Sequence, residues 1–199
     1  MVSGRGSNMQ AIVRNVEEGN LEAEVALVVC NHAASVGLAW ARERGLPTAL
    51  FERRDYATRE AQNAAMAEAM VGAGVELVAM AGYDRLITHE LFEAFRGRII
   101  NVHPSLLPAF SGTLRAQAEA FEHGVKVAGC TVHFVTEDAV DGGPIILQAT
   151  VPVLEDDNAE SLAGRILEQE HVLFSRAIQL YAEDRLRIAG RRVRILQAE

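Results

Sequence analysis

Short apolar runs that alternate with segments of helical spacing leave this chain few ways to fold. Glu24–Cys30, Thr48–Phe51, Leu77–Ala81 and Ile99–His103 are such runs, largely β-branched or small, as expected of strands covered on both faces. Between them, Ala34–Arg44 is closed by Gly45 and Pro47, and the alanine-rich Tyr56–Ala73 ends at Gly74, so both read as helices. Strands separated by helices imply right-handed crossovers and a mostly parallel sheet. After Pro108 the pattern changes. Ala116–His123 reads as a helix, whereas Val125–Val135 and Ile145–Val153 are strands joined without one, which predicts an antiparallel pair. Asp157 or Asn158 caps a long helix ending near Ala182, with Leu162, Ile166, Leu173, Ala177 and Leu180 at helical spacing. Arg185–Leu196, with Ala189-Gly190 at its middle, predicts a hairpin. Repeats and linkers are lacking. The expectation is one α/β domain over residues 1–199: a single doubly wound, mostly parallel, Rossmann-like sheet with an antiparallel C-terminal section.

Composition narrows the classes of function. A net charge of −8 argues against a phosphate-neutralising surface for nucleic acid. No apolar run approaches the ~20 residues that span a bilayer. Cys30 and Cys130 both sit in apolar runs and read as buried, reduced thiols of a cytoplasmic protein. The His, Cys, Asp and Glu residues show no metal-ligand spacing, so no metal is expected.

The chain opens Met1-Val2-Ser3 and runs into Gly4-Arg5-Gly6-Ser7-Asn8. A glycine loop in this class of fold follows a full strand, so the first strand is expected to be truncated. Ser7 and Gln10 have capping-box spacing and predict a helix starting at Ser7, with Met9, Ile12, Val13 and Val16 on its apolar stripe. Glycines admit close approach of a ligand, and free amides at a helix start favour phosphate. A plain capped turn fits the same residues. A dinucleotide fingerprint is incomplete, because Met9 replaces the third glycine and Cys30-Asn31-His32 lacks a ribose-binding acid.

The run Asn101-Val102-His103-Pro104-Ser105-Leu106-Leu107-Pro108 carries the chemistry. Alternation along a strand points Asn101 and His103 the same way, about 7 Å apart. The two prolines take the chain out of the sheet there. Downstream, Asp141-Gly142-Gly143-Pro144 offers a carboxylate that would pair with His103, although a turn aspartate explains it equally. An amide donor, an imidazole and a carboxylate suit acyl transfer, in which charge develops on a carbonyl oxygen while protons move. Thr131 and His133 alternate onto one strand face as a supporting shell or as plain structure. Glu170, at the edge of an apolar helical stripe, is either paired, facing a ligand or a rim residue.

Taken in order, Ser3–Asn8, Ala81–Ile87, Asn101–Pro108, Thr131–Phe134, Asp141–Pro144 and Gln169-Glu170-His171 resemble the phosphoribosylglycinamide formyltransferases of purine synthesis. The resemblance implies the formyltransferase fold and transfer of a formyl group from 10-formyltetrahydrofolate to the amine of glycinamide ribonucleotide. It implies that Gly6, Ser7 and Asn8 hold the 5′-phosphate and that Glu170 contacts the ribonucleotide near its amine. Arg59, Asp84, Arg85, Leu86 and Ile87, with Asn101, Val140 and Asp141, would line the folate pocket. Asn101, His103 and Asp141 would be catalytic, with Thr131 and His133 behind them. It further implies small-molecule partners only, no metal, no nucleic acid, no membrane, and a cytoplasmic monomer or homodimer. Two loops depart from the family pattern: Ser111–Arg115, where Arg115 replaces a common histidine, and His133–Asp141, which reads as one residue longer. The alternatives are a formyltetrahydrofolate hydrolase with water as acceptor and a non-catalytic nucleotide- or folate-binding module. The intact Asn101, His103 and Asp141 speak against the latter.

Overall fold

The structure is a computed structural model that describes residues 1–197. Its elements, in order, are α1 (Ser7–Glu17), β1 (Val28–Cys30), α2 (Val36–Glu43), β2 (Thr48–Leu50), α3 (Arg59–Gly72), β3 (Val78–Met80), α4 (His89–Ala94) and β4 (Ile99–His103). They continue with α5 (Ala116–His123), β5 (Val127–Phe134), β6 (Ile145–Pro152), α6 (Ala159–Ala182), β7 (Leu186–Ala189) and β8 (Arg192–Ile195). Strand β1 pairs parallel with β2, and β3 parallel with β4. From β4 onward the direction reverses: β4–β5 and β5–β6 are antiparallel, and the β7–β8 hairpin joins through β8. The result is mixed α/β, a parallel half followed by an antiparallel half.

Between β1 and β3 lie only residues 1–3. Val2 forms an isolated parallel bridge with Cys30, its N–H donating to Val29 O at 2.9 Å. On the other side Ala81 N–H donates to Met1 O at 2.9 Å and Ser3 N–H to Gly82 O at 3.2 Å. Below this short bridge the edges of β1 and β3 border a cleft of about 860 Å³ lined by Ile12, Leu27, Val28, Met70, Leu77 and Val78.

Two apolar cores flank the sheet. One collects Met9 and Val13 of α1, Leu38 of α2, and Leu162, Ile166 and Phe174 of α6. The other collects Met66 and Met70 of α3 with Leu91 and Phe95 at α4. Fully buried side chains such as Ile166 and Phe174 contribute about 1.5–3 kcal/mol each. Asn158 caps α6 in a reciprocal box with Ser161, as the pattern predicts.

Three expectations need correction. Gly6, not Ser7, is the N-cap of α1, and the Ser7–Gln10 box does not form; Gln10 Nε2 instead donates to Arg5 O at 3.1 Å. The first expected strand shrinks to Val28–Cys30, because residues 24–27 border the cleft and β2 begins too late to pair with them. Helix α4 has no counterpart in the sequence reading; its six residues are too few to show a period.

Candidate active site

Strand β4 carries two of the expected residues to one end of the sheet. The antiparallel register sets His133 opposite Asn101 and Thr131 opposite His103. Thr131 then anchors the proline-bounded turn. Its hydroxyl donates to Ser105 O at 2.7 Å and accepts from Leu107 N at 3.0 Å and Gln148 Nε2 at 3.0 Å. The turn that leaves the sheet after His103 is thus tied to β5 and β6.

The His103 ring is 5 % exposed and lies between two acceptors. Nε2 is 2.8 Å from Phe110 O, and Nδ1 is 3.4 Å from Asp141 Oδ2. A ring flanked by a carbonyl and a carboxylate is fully paired only when both nitrogens carry protons. Phe110 (φ 55°) and Asp141 (φ 52°) both adopt left-handed backbone, a strain of about 1–3 kcal/mol for a bulky residue and less for an aspartate. Strain therefore gathers at the two groups that grip the imidazole.

Asp141 also accepts from Gly112 N–H at 2.8 Å, and His133 Nε2 lies 3.6 Å from its other oxygen. Burial alone would raise its carboxyl, but the His133 imidazole, the Gly112 amide and His103 outweigh burial and hold it below the ordinary carboxylate range. His133 Nδ1 faces Phe134 O at 2.9 Å, which leaves Nε2 to meet Asn101 Nδ2 at 3.3 Å. Asn101 is oriented through His133. The glycine after Gly142 is required, since a Cβ on Gly143 would sit 1.8 Å from Phe134 O.

The glycine loop is built against α2. Gly6 adopts φ 71°, and a Cβ there would stand 3.0 Å from Gly37 Cα. A Cβ on Gly37 would stand 3.1–3.2 Å from Gly6 Cα, Arg5 O and Gly4 O. Ser35 Oγ donates to Gly4 O at 2.8 Å while capping α2 by accepting from Leu38 N at 3.2 Å. Ser35 and Gly37 were not singled out in the sequence. Ser35 gives a cap signal there, but the Gly6–Gly37 approach joins distant segments and leaves no local mark.

At the start of α1, Asn8 Nδ2 donates to Glu170 Oε2 of α6 at 2.7 Å. Glu170 is 5 % exposed, and burial pushes its carboxyl up, only partly offset by the Asn8 bond. Asn8 Oδ1 is buried without a partner, a vacancy that a ligand donor would fill. Ser7 heads α1 beside it.

Asp84 follows β3, in the segment that leads to α4. Oδ1 accepts from Ser3 Oγ at 2.9 Å and Asn31 Nδ2 at 2.8 Å, Oδ2 lies 3.1 Å from His32 Nε2, and Asp84 N–H donates to Ser3 Oγ at 2.9 Å. Burial would raise this carboxyl too, yet the bonds from Asn31, Ser3 and His32 hold it below its usual value. Arg85, Leu86 and Ile87 follow. Leu86 and Val140 are 55 % and 53 % exposed, apolar surface free to meet an aromatic ring. Arg59 opens α3 with its side chain exposed, and Asn63 of the same helix accepts from Thr88 N–H at 3.2 Å, pinning the turn after Ile87.

The structure thus brings together His103, Asp141, His133 and Asn101, and separately Asn8 and Glu170. Arg59, Leu86 and Val140 stand apart on exposed segments. The large cleft between β1 and β3 does not have His103 in its lining. Among the described residues no group of three His, Cys, Asp or Glu side chains could hold a metal ion, and no helix is long and apolar enough to cross a membrane.

An imidazole held between a carbonyl and a carboxylate, and an oriented amide beside it at the end of a strand, are equipped for acyl-group transfer. The model of the formyl transferase family matches residues 1–178. The phosphoribosylglycinamide formyltransferase of Bacillus subtilis (strain 168) is 43 % identical over 89 % of this chain and 90 % of its own. A glycinamide ribonucleotide transformylase structure from Symbiobacterium toebii superposes with a TM-score of 0.95 at 53 % identity, covering 98 % of this chain and 92 % of that one. The Drosophila melanogaster trifunctional purine biosynthetic protein adenosine-3 is 42 % identical over 90 % of this chain, which spans only 13 % of that protein's length. The chain belongs to the formyl transferase family, among its phosphoribosylglycinamide formyltransferases.

Proposed function

We propose that this chain transfers the formyl group of 10-formyltetrahydrofolate to the amine of glycinamide ribonucleotide. The observation that carries the reading is the His103–Asp141 pair beside Asn101 at the open end of β4. The folate supplies the one-carbon group. As the amine nitrogen bonds to the formyl carbon, negative charge gathers on the formyl oxygen. His103 Nε2–H, turned from Phe110 O toward the substrate, and Asn101 Nδ2 are the donors for that oxygen, and removal of one such donor costs about 10²–10³ in kcat. Asp141 holds the ring in place at 3.4 Å. The carbon–nitrogen bond to the folate then breaks, and the proton shed by the amine passes to the departing folate nitrogen.

The two pockets follow from the same geometry. The Gly6–Asn8 amides at the start of α1 take the ribonucleotide phosphate. Asn8 Oδ1 and Glu170 take polar groups of the same ligand. Arg59, Arg85, Leu86, Ile87 and Val140 flank the folate. The deciding assay follows 10-formyltetrahydrofolate with and without glycinamide ribonucleotide. Consumption that requires the ribonucleotide is expected. Equal consumption without it identifies a hydrolase, and binding without turnover a non-catalytic module.

A further inference from the structure

Asp84 begins the segment assigned above to the folate, yet its carboxylate is taken up by other groups of the protein. Ser3, which begins the glycine loop, grips Asp84 twice: its hydroxyl donates to Oδ1 at 2.9 Å and accepts from the Asp84 N–H at 2.9 Å. Asn31 and His32, at the end of β1, hold both carboxylate oxygens at 2.8 and 3.1 Å. Ser3 N–H adds a bond to Gly82 O at 3.2 Å. One side chain therefore joins three segments: the loop at the start of α1, the end of β1, and the turn that leads into Arg85–Ile87.

This joint adds side-chain bonds to the backbone bonds that Met1, Val2 and Ser3 make to the segments around β1 and β3. A carboxylate holding several donors stays ionised, and charge-assisted bonds of this kind are stronger than neutral ones. Side-chain networks that tie several segments to one ionised group rigidify the backbone that carries them.

We propose that Asp84 is a positioning residue that couples the two substrate pockets, so that ordering of the glycine loop by a phosphorylated ligand orders the Arg85–Ile87 turn for the folate, and the reverse. The proposal rests on the assignment of those two pockets above. Coupling between sites is reciprocal and amounts to 5-fold or more where two elements move together.

The test measures the dissociation constant of glycinamide ribonucleotide with and without saturating tetrahydrofolate, a pair that cannot react. In the wild-type chain each ligand tightens the other at least ~5-fold. In Asp84→Ala the factor falls toward one, both single-ligand affinities drop, and KM rises for both substrates. Asp84→Asn, whose oxygen still accepts from Ser3 and Asn31, restores part of the coupling. Ser3→Ala cuts the joint from the other side and reproduces the loss, which keeps the test decisive if Asp84→Ala does not fold. A variant that loses folate affinity alone, with the coupling factor unchanged, makes Asp84 a simple ligand contact and overturns the proposal. So does a wild-type factor of one. Failure of the wild-type chain to transfer formyl groups at all refutes the functional reading instead.

Discussion

Two carboxylates in this molecule are displaced in opposite directions, and the difference divides their roles. Asp141 is held below its ordinary value, so it contributes stability that is present above about pH 4 and is lost as pH falls through its lowered folded value. Asp141→Asn should therefore lose melting temperature relative to wild type above about pH 5, with the gap closing toward pH 3. Its kcat should fall by roughly 10²–10⁴ with KM little changed, because the carboxylate beside His103 is lost while the shape stays. A thermal series against pH and steady-state kinetics check both, and an unchanged kcat would make Asp141 only a turn residue. Glu170 is raised by burial, so its ionised form strains the fold: the stability it allows is full below about pH 4 and is lost as pH rises through its raised value. Glu170→Gln keeps an acceptor for Asn8 without the buried charge. It should melt higher than wild type at pH 8, by about 2–4 °C per kcal/mol recovered, and should match it near pH 4. The same variant should bind glycinamide ribonucleotide more weakly, the exchange of stability for function expected of a site residue.

At the scale of elements, the glycine loop and α2 act as one unit. Gly37→Ala places a methyl group 3.1–3.2 Å from three backbone atoms of that loop, which must then shift by a few tenths of an ångström. Ribonucleotide KM should rise roughly tenfold while tetrahydrofolate affinity holds, since small displacements of positioning groups are costly. An equal loss of both affinities would instead place α2 outside the phosphate pocket. What the sequence conveys of this element is instructive. Periodicity and turn residues convey β4, β5, β6, α5 and α6 nearly to their ends, because each is long or bounded by Pro, Gly or a cap. Asn101 and His103 are legible for the same reason: alternation on a strand is a local rule. The Ser7 box fails because Gly6 takes the left-handed turn that starts α1, leaving Ser7 inside the helix. The Ser35, Gly37 and Asp84 contacts are set by segments distant in sequence, and residue spacing carries no trace of them.

At the scale of the whole molecule the sheet is uneven. Strands β4, β5 and β6 share ladders of several residues, whereas β1 and β2 pair over three and meet the rest through residues 1–3. Local opening free energies follow the density of such pairing. Native-state hydrogen exchange should find Val28 opening at distinctly lower free energy than Val102 or Val132. Equal protection would mean that the two apolar cores, not the ladder, set cooperativity.

The cleft between β1 and β3 carries one more consequence, which concerns the behaviour of the protein in concentrated solution rather than catalysis. Its walls mix apolar side chains such as Ile12, Leu27 and Val78 with charged ones such as Glu24 and Arg98, and β1 and β3 are both sheet edges along it. Such edges are templates for intruding strands, and here two of them border the same gap. An extended apolar stretch exposed by a neighbouring molecule would find hydrogen bonds on both sides at once.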